Sequence, residues 1–527
     1  VFDVNDTVIE RTDIYMLDSY WKHFKSGTDI RGVAIDGVEG EPLDLTDSVV
    51  DCIAVGFAEW LSERSGRLPG ELTVSVGRDS RLSGPRIRDV VVNSLTGAGV
   101  RVIDCGLAST PAMFMTTVDL NCDAAVQITA SHHPFHRNGL KFFLPSGGLE
   151  GSDITEVLEY AQRLSENPES RKKSSMTGPL AKEDYMSQYA GRLRALICEG
   201  VKAQDYEHPL KGFHIVVDAG NGVGGFYADN VLLPLGADIS GSQFLEPDGR
   251  FPNHVPNPEN KEAMASVCEA TFKAGADLGV IFDTDVDRAG CVDSSGREIN
   301  RNRLVALASA IVLEDNPGGT IVTDSITSSG LKTFIEKELG GVHHRFKRGY
   351  KNVINEALRL NAQGINCPLA IETSGHAALR ENYFLDDGAY LITKIIIKAA
   401  QLGTHGRTLE SLIERLAEPA ESVELRFNIT QPDFRSCGNR VLDALEEYAR
   451  NNGWEVADDS REGVRISFGA GQGEGWLLLR LSVHDPVMPL NIESDVKGGC
   501  LVMAKKLNEF LKTQSGLDIE ALTKFIL

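Results

Sequence analysis

The sequence predicts an α/β protein of four domains: three similar α/β units with mixed or mostly parallel sheets, then a C-terminal α+β unit, set around a central cleft. Three observations carry that reading. At 527 residues the chain is too long for one hydrophobic core. Short β-rich runs alternate with helical patterns through most of its length, which is the pattern of α/β units. Each round also ends a buried strand with a polar loop, the place where ligands gather in open α/β sheets.

In the first round, Leu72–Val76, Val100–Asp104 and Ala124–Ile128 read as strands. Pro85–Leu95 and Pro111–Leu120 read as the helices between them. A second round runs from the strand His214–Asp218 to the strand Leu278–Phe282. A third opens with Thr320–Thr323 and includes Pro368–Ile371. The C-terminal part changes character: strands are expected at Ser422–Ile429, Gly463–Phe468 and Trp476–Val483, with helices at Pro432–Asn451 and Gly499–Thr513. The expected domains are residues 1–205, 206–300, 301–417 and 418–527, with Glu418–Glu421 as a linker. The polar stretch Ser165–Gly178 is expected to be an exposed connector.

Composition excludes several classes of function. A net charge of −22 repels polyanions, so neither nucleic acid nor an acidic membrane is an expected partner. No run of about 18 uncharged apolar residues is present; the greasy stretch near Leu391 is broken by Lys394 and Lys398. The nine cysteines are scattered without metal-binding spacing, which suits reduced thiols. The expectation is a soluble protein of the cytoplasm or of a plastid or organellar stroma, with no targeting segment visible, acting as a monomer or homodimer on a small anionic substrate.

Three loops carry the chemistry. In FDTDVDRAG, Asp283, Asp285 and Asp287 alternate after a buried strand. Like charges so close need a hard divalent cation, and all-oxygen ligands favour Mg²⁺ or Ca²⁺. The glycine and the distal glutamate of an EF-hand are missing. In ITASHHP, Ser131 lies among small residues and beside His132 and His133, a setting for a nucleophile or phosphate carrier. HRNGLKFF then supplies Gly139 and Lys141. In ETSGH, Glu372 and Ser374 can bind adjacent sugar hydroxyls, and His376 can move a proton.

In this order the loops resemble the α-D-phosphohexomutase superfamily, from GTDIRG at Gly27 to about Gly499. The family's serine loop is T-A-S-H-N-P; here Thr129–Pro134 has His133 for Asn. Its metal loop is D-G-D-[GA]-D-R; Asp283–Arg288 keeps the three aspartates and the arginine. The sugar loop of the glucose/mannose branch, G-E-M-S-G-H, is matched by Glu372–His376. GRDSRLSGP at Gly77–Pro85 and DDG at Asp386–Gly388 are also similar to family segments.

The resemblance implies a mutase that moves phosphate between C1 and C6 of a hexose phosphate, with a hexose 1,6-bisphosphate as intermediate and activator. Ser131 would be the phosphoserine, and Mg²⁺ would sit on Asp283, Asp285, Asp287 and a phosphoserine oxygen. Lys141, His132 or His376 would give acid–base help, and Arg31 and Arg288 would stabilise charge. Lys351 in KRGYKNV, Glu372 and Ser374 would contact substrate, and Arg480, Ser482 and His484 would bind the non-reacting phosphate. That last loop departs from the family pattern R-x-S-[NG]-T-x-P followed by arginine: Val483, His484 and Pro489 replace an amide or small residue, the threonine and the arginine. Lys497, Gly498 and Gly499 could supply replacement donors. Three alternatives therefore stand beside the glucose or mannose phosphate mutase. They are a hexose 1,6-bisphosphate synthase, a phosphoglucosamine mutase and a non-catalytic sugar-phosphate sensor.

Overall fold

The structure is a computed structural model that describes residues 17–171, 176–482 and 485–527. Among these, the chain forms two compact units. One comprises the described residues up to Gly106 and Met113–Glu183; the other comprises Leu107–Ala112 and Asp184–Leu527.

The first unit is built on an eight-stranded mixed sheet. Its central strand Ala124–Ile128 is apolar except for Gln127 and wholly buried, as a strand covered on both faces must be. Ala124–Ile128 runs parallel to Thr73–Arg78 and antiparallel to Arg137–Leu144, which pairs in turn with Asp29–Val33. The helices Asp47–Ser65 and Gly151–Glu166 pack on each other and close a core that includes Phe57, Trp60 and Phe142. Thr46 caps the first of these helices by accepting from the Val49 amide, and Gly66 ends it.

The second unit holds three sheets. In the first, Leu278–Phe282 lies parallel to Ile215–Asp218 and antiparallel to Ala289–Asp293. In the second, Thr320–Thr323 runs parallel to both Val342–Arg345 and Leu369–Ile371, and Leu369–Ile371 turns back into Ala377–Leu379. The third is an antiparallel six-stranded sheet in which Val487–Ser494 is flanked by Gly475–Leu479 and Glu421–Ile429. The helices Phe434–Asn451 and Gly499–Leu511 pack on it around Phe427, Leu477 and Leu507. Three α/β sheets followed by an α+β sheet is the predicted fold class.

The predicted strand Trp476–Val483 is shorter than expected: it runs Gly475–Leu479. Proline explains the difference. The Arg480 amide still donates to the Pro489 carbonyl at 3.1 Å, but Pro489 has no N–H to return the bond, so the ladder stops. The expected linker is pinned, since Glu418 pairs with Arg297 and lies 3.6 Å from Arg303. All nine cysteines are free. No helix among the described residues is long and apolar enough to cross a membrane.

Candidate active site

In the first unit, Ser131 is buried at the end of Ala124–Ile128 and adopts φ +51°, a left-handed conformation that a serine holds only when its surroundings impose it. Arg81 imposes it. Its fully buried guanidinium donates to the carbonyls of Ser131, His133, Pro134 and Arg137, the last three at 2.7, 2.8 and 2.9 Å. Asp79 pairs with Arg81 at 3.2 Å and accepts from the Thr129 hydroxyl at 2.7 Å, and Thr129 Oγ1 in turn accepts from the Ser131 amide at 2.9 Å. Ser131 Oγ lies 3.3 Å from His132 Nδ1.

Arg31 and Lys141 come from the neighbouring strands. Arg31 lies opposite Gly139 and donates to Asp29 at 2.9 Å. Lys141 is buried opposite Gln127. Arg81 and Asp79 belong to GRDSRLSGP, a segment that stands out in the sequence without disclosing their task.

In the second unit, Asp283, Asp285 and Asp287 follow Leu278–Phe282 and are at most 1% exposed. One oxygen from each lies within 4.8 Å of the others. The turn that gathers them places Val286 at φ +67°, costly for a β-branched residue. Thr110 donates its hydroxyl to Asp285, and its amide donates to the Asp285 carbonyl at 2.9 Å. Arg288 donates through Nε to Asp283 at 3.2 Å and also lies 3.9 Å from Glu259. Burial opposes the charge on Arg288, but the surrounding carboxylates hold its pKa above the usual value. Three carboxylates are thus gathered in one buried loop, facing the Arg288 guanidinium. A hard, oxygen-loving cation fits that donor set.

The ETSGH loop docks directly against this cluster. Arg288 and His376 form an isolated antiparallel bridge, and the Ala289 amide donates to the Gly375 carbonyl at 3.3 Å. Gly375 has φ +96°, and a Cβ there would stand 2.5 Å from the Ala289 carbonyl oxygen, so only glycine fits. His376 Nδ1 donates to Asp386 at 2.5 Å and lies 3.8 Å from Asp287, while the Tyr350 ring stacks over the imidazole. Burial works against the imidazolium, yet Asp386 and Asp287 raise its pKa to about 9.

Glu372 accepts from the Gly349 amide at 2.6 Å, and burial together with Asp324 pushes its carboxyl upward. Ser374 is buried, and its hydroxyl has no partner among the described residues. Such a hydroxyl is a ready group for a polar ligand. Lys351 is half-buried in the first turn of the helix Tyr350–Ala362.

The expected phosphate-binding residues divide. Arg480 is 8% exposed, and the Ser482 amide donates to the Val487 carbonyl at 2.9 Å. Val483 and His484 lie outside the described residues. Pro489 sits in Val487–Ser494 opposite Arg426. Three site residues had no legible role in the sequence: Asp324, Arg348 and Glu462. Asp324 accepts from the Thr373 hydroxyl at 2.7 Å, fixing the ETSGH loop. Arg348 donates to Glu259 at 3.1 Å, and its backbone amide donates to Glu462 at 3.2 Å.

Comparison with known proteins matches the segments that contain the Ser131, Asp283–Arg288 and ETSGH loops. Family models described as phosphoglucomutase/phosphomannomutase, alpha/beta/alpha domains I, II and III, match residues 25–167, 196–296 and 300–419. A phosphomannomutase/phosphoglucomutase of Pseudomonas syringae pv. tomato is 30% identical over 86% of this chain and 90% of its own. A phosphoglucomutase/phosphomannomutase of Thermococcus kodakarensis is 30% identical over 94% of this chain and 98% of its own. Among solved structures, a phosphoglucomutase/phosphomannomutase family protein of Burkholderia thailandensis aligns with TM-score 0.75 and 26% identity, covering 95% of this chain and 99% of that one.

Proposed function

Because the chain belongs to the phosphoglucomutase/phosphomannomutase family, we propose that it is a phosphohexomutase that moves phosphate between C1 and C6 of glucose or mannose phosphate through a phosphoserine at Ser131 and a hexose 1,6-bisphosphate. The observation that carries the reading is the Ser131 loop, a buried left-handed serine held by one arginine. Arg81 takes up four loop carbonyls. Their lone pairs are thereby turned away from an arriving dianion. Lys141, His132 and Arg31 are the proposed polar groups on that side.

In the second unit, Asp283, Asp285 and Asp287 are the proposed holders of Mg²⁺, which when bound draws charge off a transferring phosphoryl group. His376 gives Nδ1–H to Asp386, which fixes the ring and leaves Nε2 for a substrate hydroxyl. Glu372 and Ser374 are the proposed sugar-hydroxyl ligands, with Arg288 and Lys351 beside them. Arg480 and Ser482 are the proposed phosphate ligands. In the first half-reaction the bond from phosphorus to serine oxygen breaks, a bond to the free sugar hydroxyl forms, and the hydroxyl proton passes to a neighbouring base; in the second the other phosphoryl leaves its sugar oxygen for the serine oxygen, and that sugar oxygen takes up a proton.

Pro489 favours a second reading. With proline where the family has arginine, a weakly held bisphosphate would leave before turning over, and the protein would act as a hexose 1,6-bisphosphate synthase. One assay separates the two. Purified protein is incubated with glucose 1-phosphate, Mg²⁺ and trace glucose 1,6-bisphosphate. Rapid formation of glucose 6-phosphate supports the mutase, and accumulating bisphosphate supports the synthase. Ser131→Ala should abolish transfer and remove the phosphate that mass spectrometry finds on the wild-type serine; retained activity would sink the phosphoserine mechanism.

A further inference from the structure

Glu462 stands against the arginine proposed to grip the substrate's phosphate. It ends the turn before the strand Val464–Phe468, and Gly463 follows it at φ +62°. A Cβ on Gly463 would fall 2.2 Å from the Leu479 carbonyl oxygen and 2.8 Å from the Arg480 Cα. The chain therefore crosses directly over the Arg480 backbone and delivers the Glu462 side chain beside that guanidinium. Glu462 Oε1 lies 3.7 Å from Arg480 Nη1, and the two side chains are 11% and 10% exposed.

The other oxygen, Oε2, accepts from the Ser325 hydroxyl at 2.5 Å and from the Arg348 amide at 3.2 Å. Those bonds hold the carboxylate in place independently of Arg480. Among the described residues Arg480 Nε has no hydrogen-bond partner, and the 3.7 Å ion pair is too long to be a hydrogen bond. The guanidinium is thus faced by a negative charge without being saturated by it. Burial and the nearby Arg348 disfavour its charge, and Glu462 opposes them.

We propose that Glu462 is an internal competitor for Arg480, a fixed carboxylate that lowers the affinity of this arginine for a phosphomonoester dianion. The proposal rests on the reading of Arg480 as a substrate-phosphate ligand. A dianion entering the site meets Glu462 as a like charge and gains less from Arg480 than it would from an unopposed guanidinium. In the mutase cycle the bisphosphate must be let go and taken up again the other way round, so too strong a grip on the distant phosphate slows the turn just as too weak a grip loses the intermediate, and Glu462 sets the grip of Arg480 below that of an unopposed guanidinium.

The test is calorimetric titration of the full-length Ser131→Ala protein with glucose 1-phosphate in Mg²⁺, so that no transfer disturbs the equilibrium. Added Glu462→Gln, which keeps an oxygen for Ser325 and the Arg348 amide, should tighten binding about fivefold, the scale of one partly buried ion pair. Glu462→Asp draws the charge back and should tighten binding about twofold; it also serves if the glutamine variant does not fold. Arg480→Met should weaken binding at least about tenfold. Glucose without phosphate should bind all variants equally. If glucose 1-phosphate fails to bind, or Arg480→Met leaves its affinity unchanged, the reading of Arg480 falls and the competitor with it. If Arg480→Met weakens binding while both Glu462 variants leave it the same or weaken it, the competitor alone is refuted.

Discussion

Replacing Asp285 by asparagine should stabilise the metal-free protein and at the same time remove its response to Mg²⁺. Asp283, Asp285 and Asp287 each place an oxygen within 4.8 Å of the others in a fully buried loop. Coulomb's law with an effective dielectric constant of about 20 puts each such pair at about 3.5 kcal/mol of repulsion. Asparagine removes Asp285 from two of these pairs, keeps an oxygen to accept from Thr110, and gives up some attraction to Arg288. The amide hydrogens must also be accommodated. A net gain of about 2 kcal/mol follows, which raises the melting temperature by about 2 °C for a protein of this size.

Magnesium should act in the opposite sense. A wild-type site saturated about a hundredfold gains about 2.7 kcal/mol from the ion, whereas a site weakened about a hundredfold gains less than about 0.5 kcal/mol. Calorimetric melting of both proteins, in EDTA and in excess MgCl₂, measures both effects at once. The reasoning fails if Asp285→Asn melts below the wild type in EDTA, or if its Mg²⁺-induced shift equals that of the wild type.

Two further outcomes are expected. Arg81→Leu leaves four loop carbonyls without their donor and the buried Asp79 without its cation; it should cost about 3 kcal/mol in urea unfolding and abolish phosphorylation of Ser131. Burial lifts Glu493 to about 7 despite Arg465 and the Trp476 indole N–H. Its pKa is higher in the folded chain than in the unfolded one, so ionised Glu493 opposes folding. Its penalty is greatest above pH 7 and fades as pH falls through 7 toward 4.5. After allowance for its partial exposure the span is about 2 kcal/mol. Glu493→Gln should therefore stabilise the protein at pH 8 and not at pH 4.5, as read by denaturation midpoints at the two values.

The loops that hold the candidate chemistry were legible because each joins an apolar buried run to residues that have no bland reason to be there together. Asp283, Asp285 and Asp287 announce a cation because three adjacent carboxylates repel. Their partners were not legible. Arg81 binds carbonyls, which every residue has, so no side-chain pattern marks them in advance. Glu462 and Ser325 meet across 137 positions of sequence, and only the fold brings them together. The overextended strand at Trp476–Val483 has the same origin: apolar alternation runs past Leu479, but the missing N–H that ends the ladder belongs to Pro489 on the neighbouring strand.

On the proposed reading of the site, the turn Asp324–Ser328 makes sugar recognition and phosphate grip one energetic problem. On one side Asp324 fixes the ETSGH loop through Thr373. On the other, the C-terminal sheet is seated on the same turn. Arg465 donates to the carbonyls of Ser325 and Thr327 at 3.0 Å each while its guanidinium stacks 3.5 Å over Trp476, and Glu462 takes the Ser325 hydroxyl. Arg465 is 3% exposed, so these bonds are made where water cannot replace them. If Glu372 and Ser374 bind the sugar and Arg480 the phosphate, as proposed, a shift of the turn that improves the fit of a sugar hydroxyl would be felt at Arg480 through Glu462, and the reverse would hold equally because such coupling is reciprocal. The sequence departures at Val483, His484 and Pro489 therefore need not be compensated within their own loop. Residues of the Asp324–Ser328 turn, distant in sequence and in direct contact with both Thr373 and Glu462, are placed to adjust the phosphate grip proposed for Arg480 without touching the phosphate.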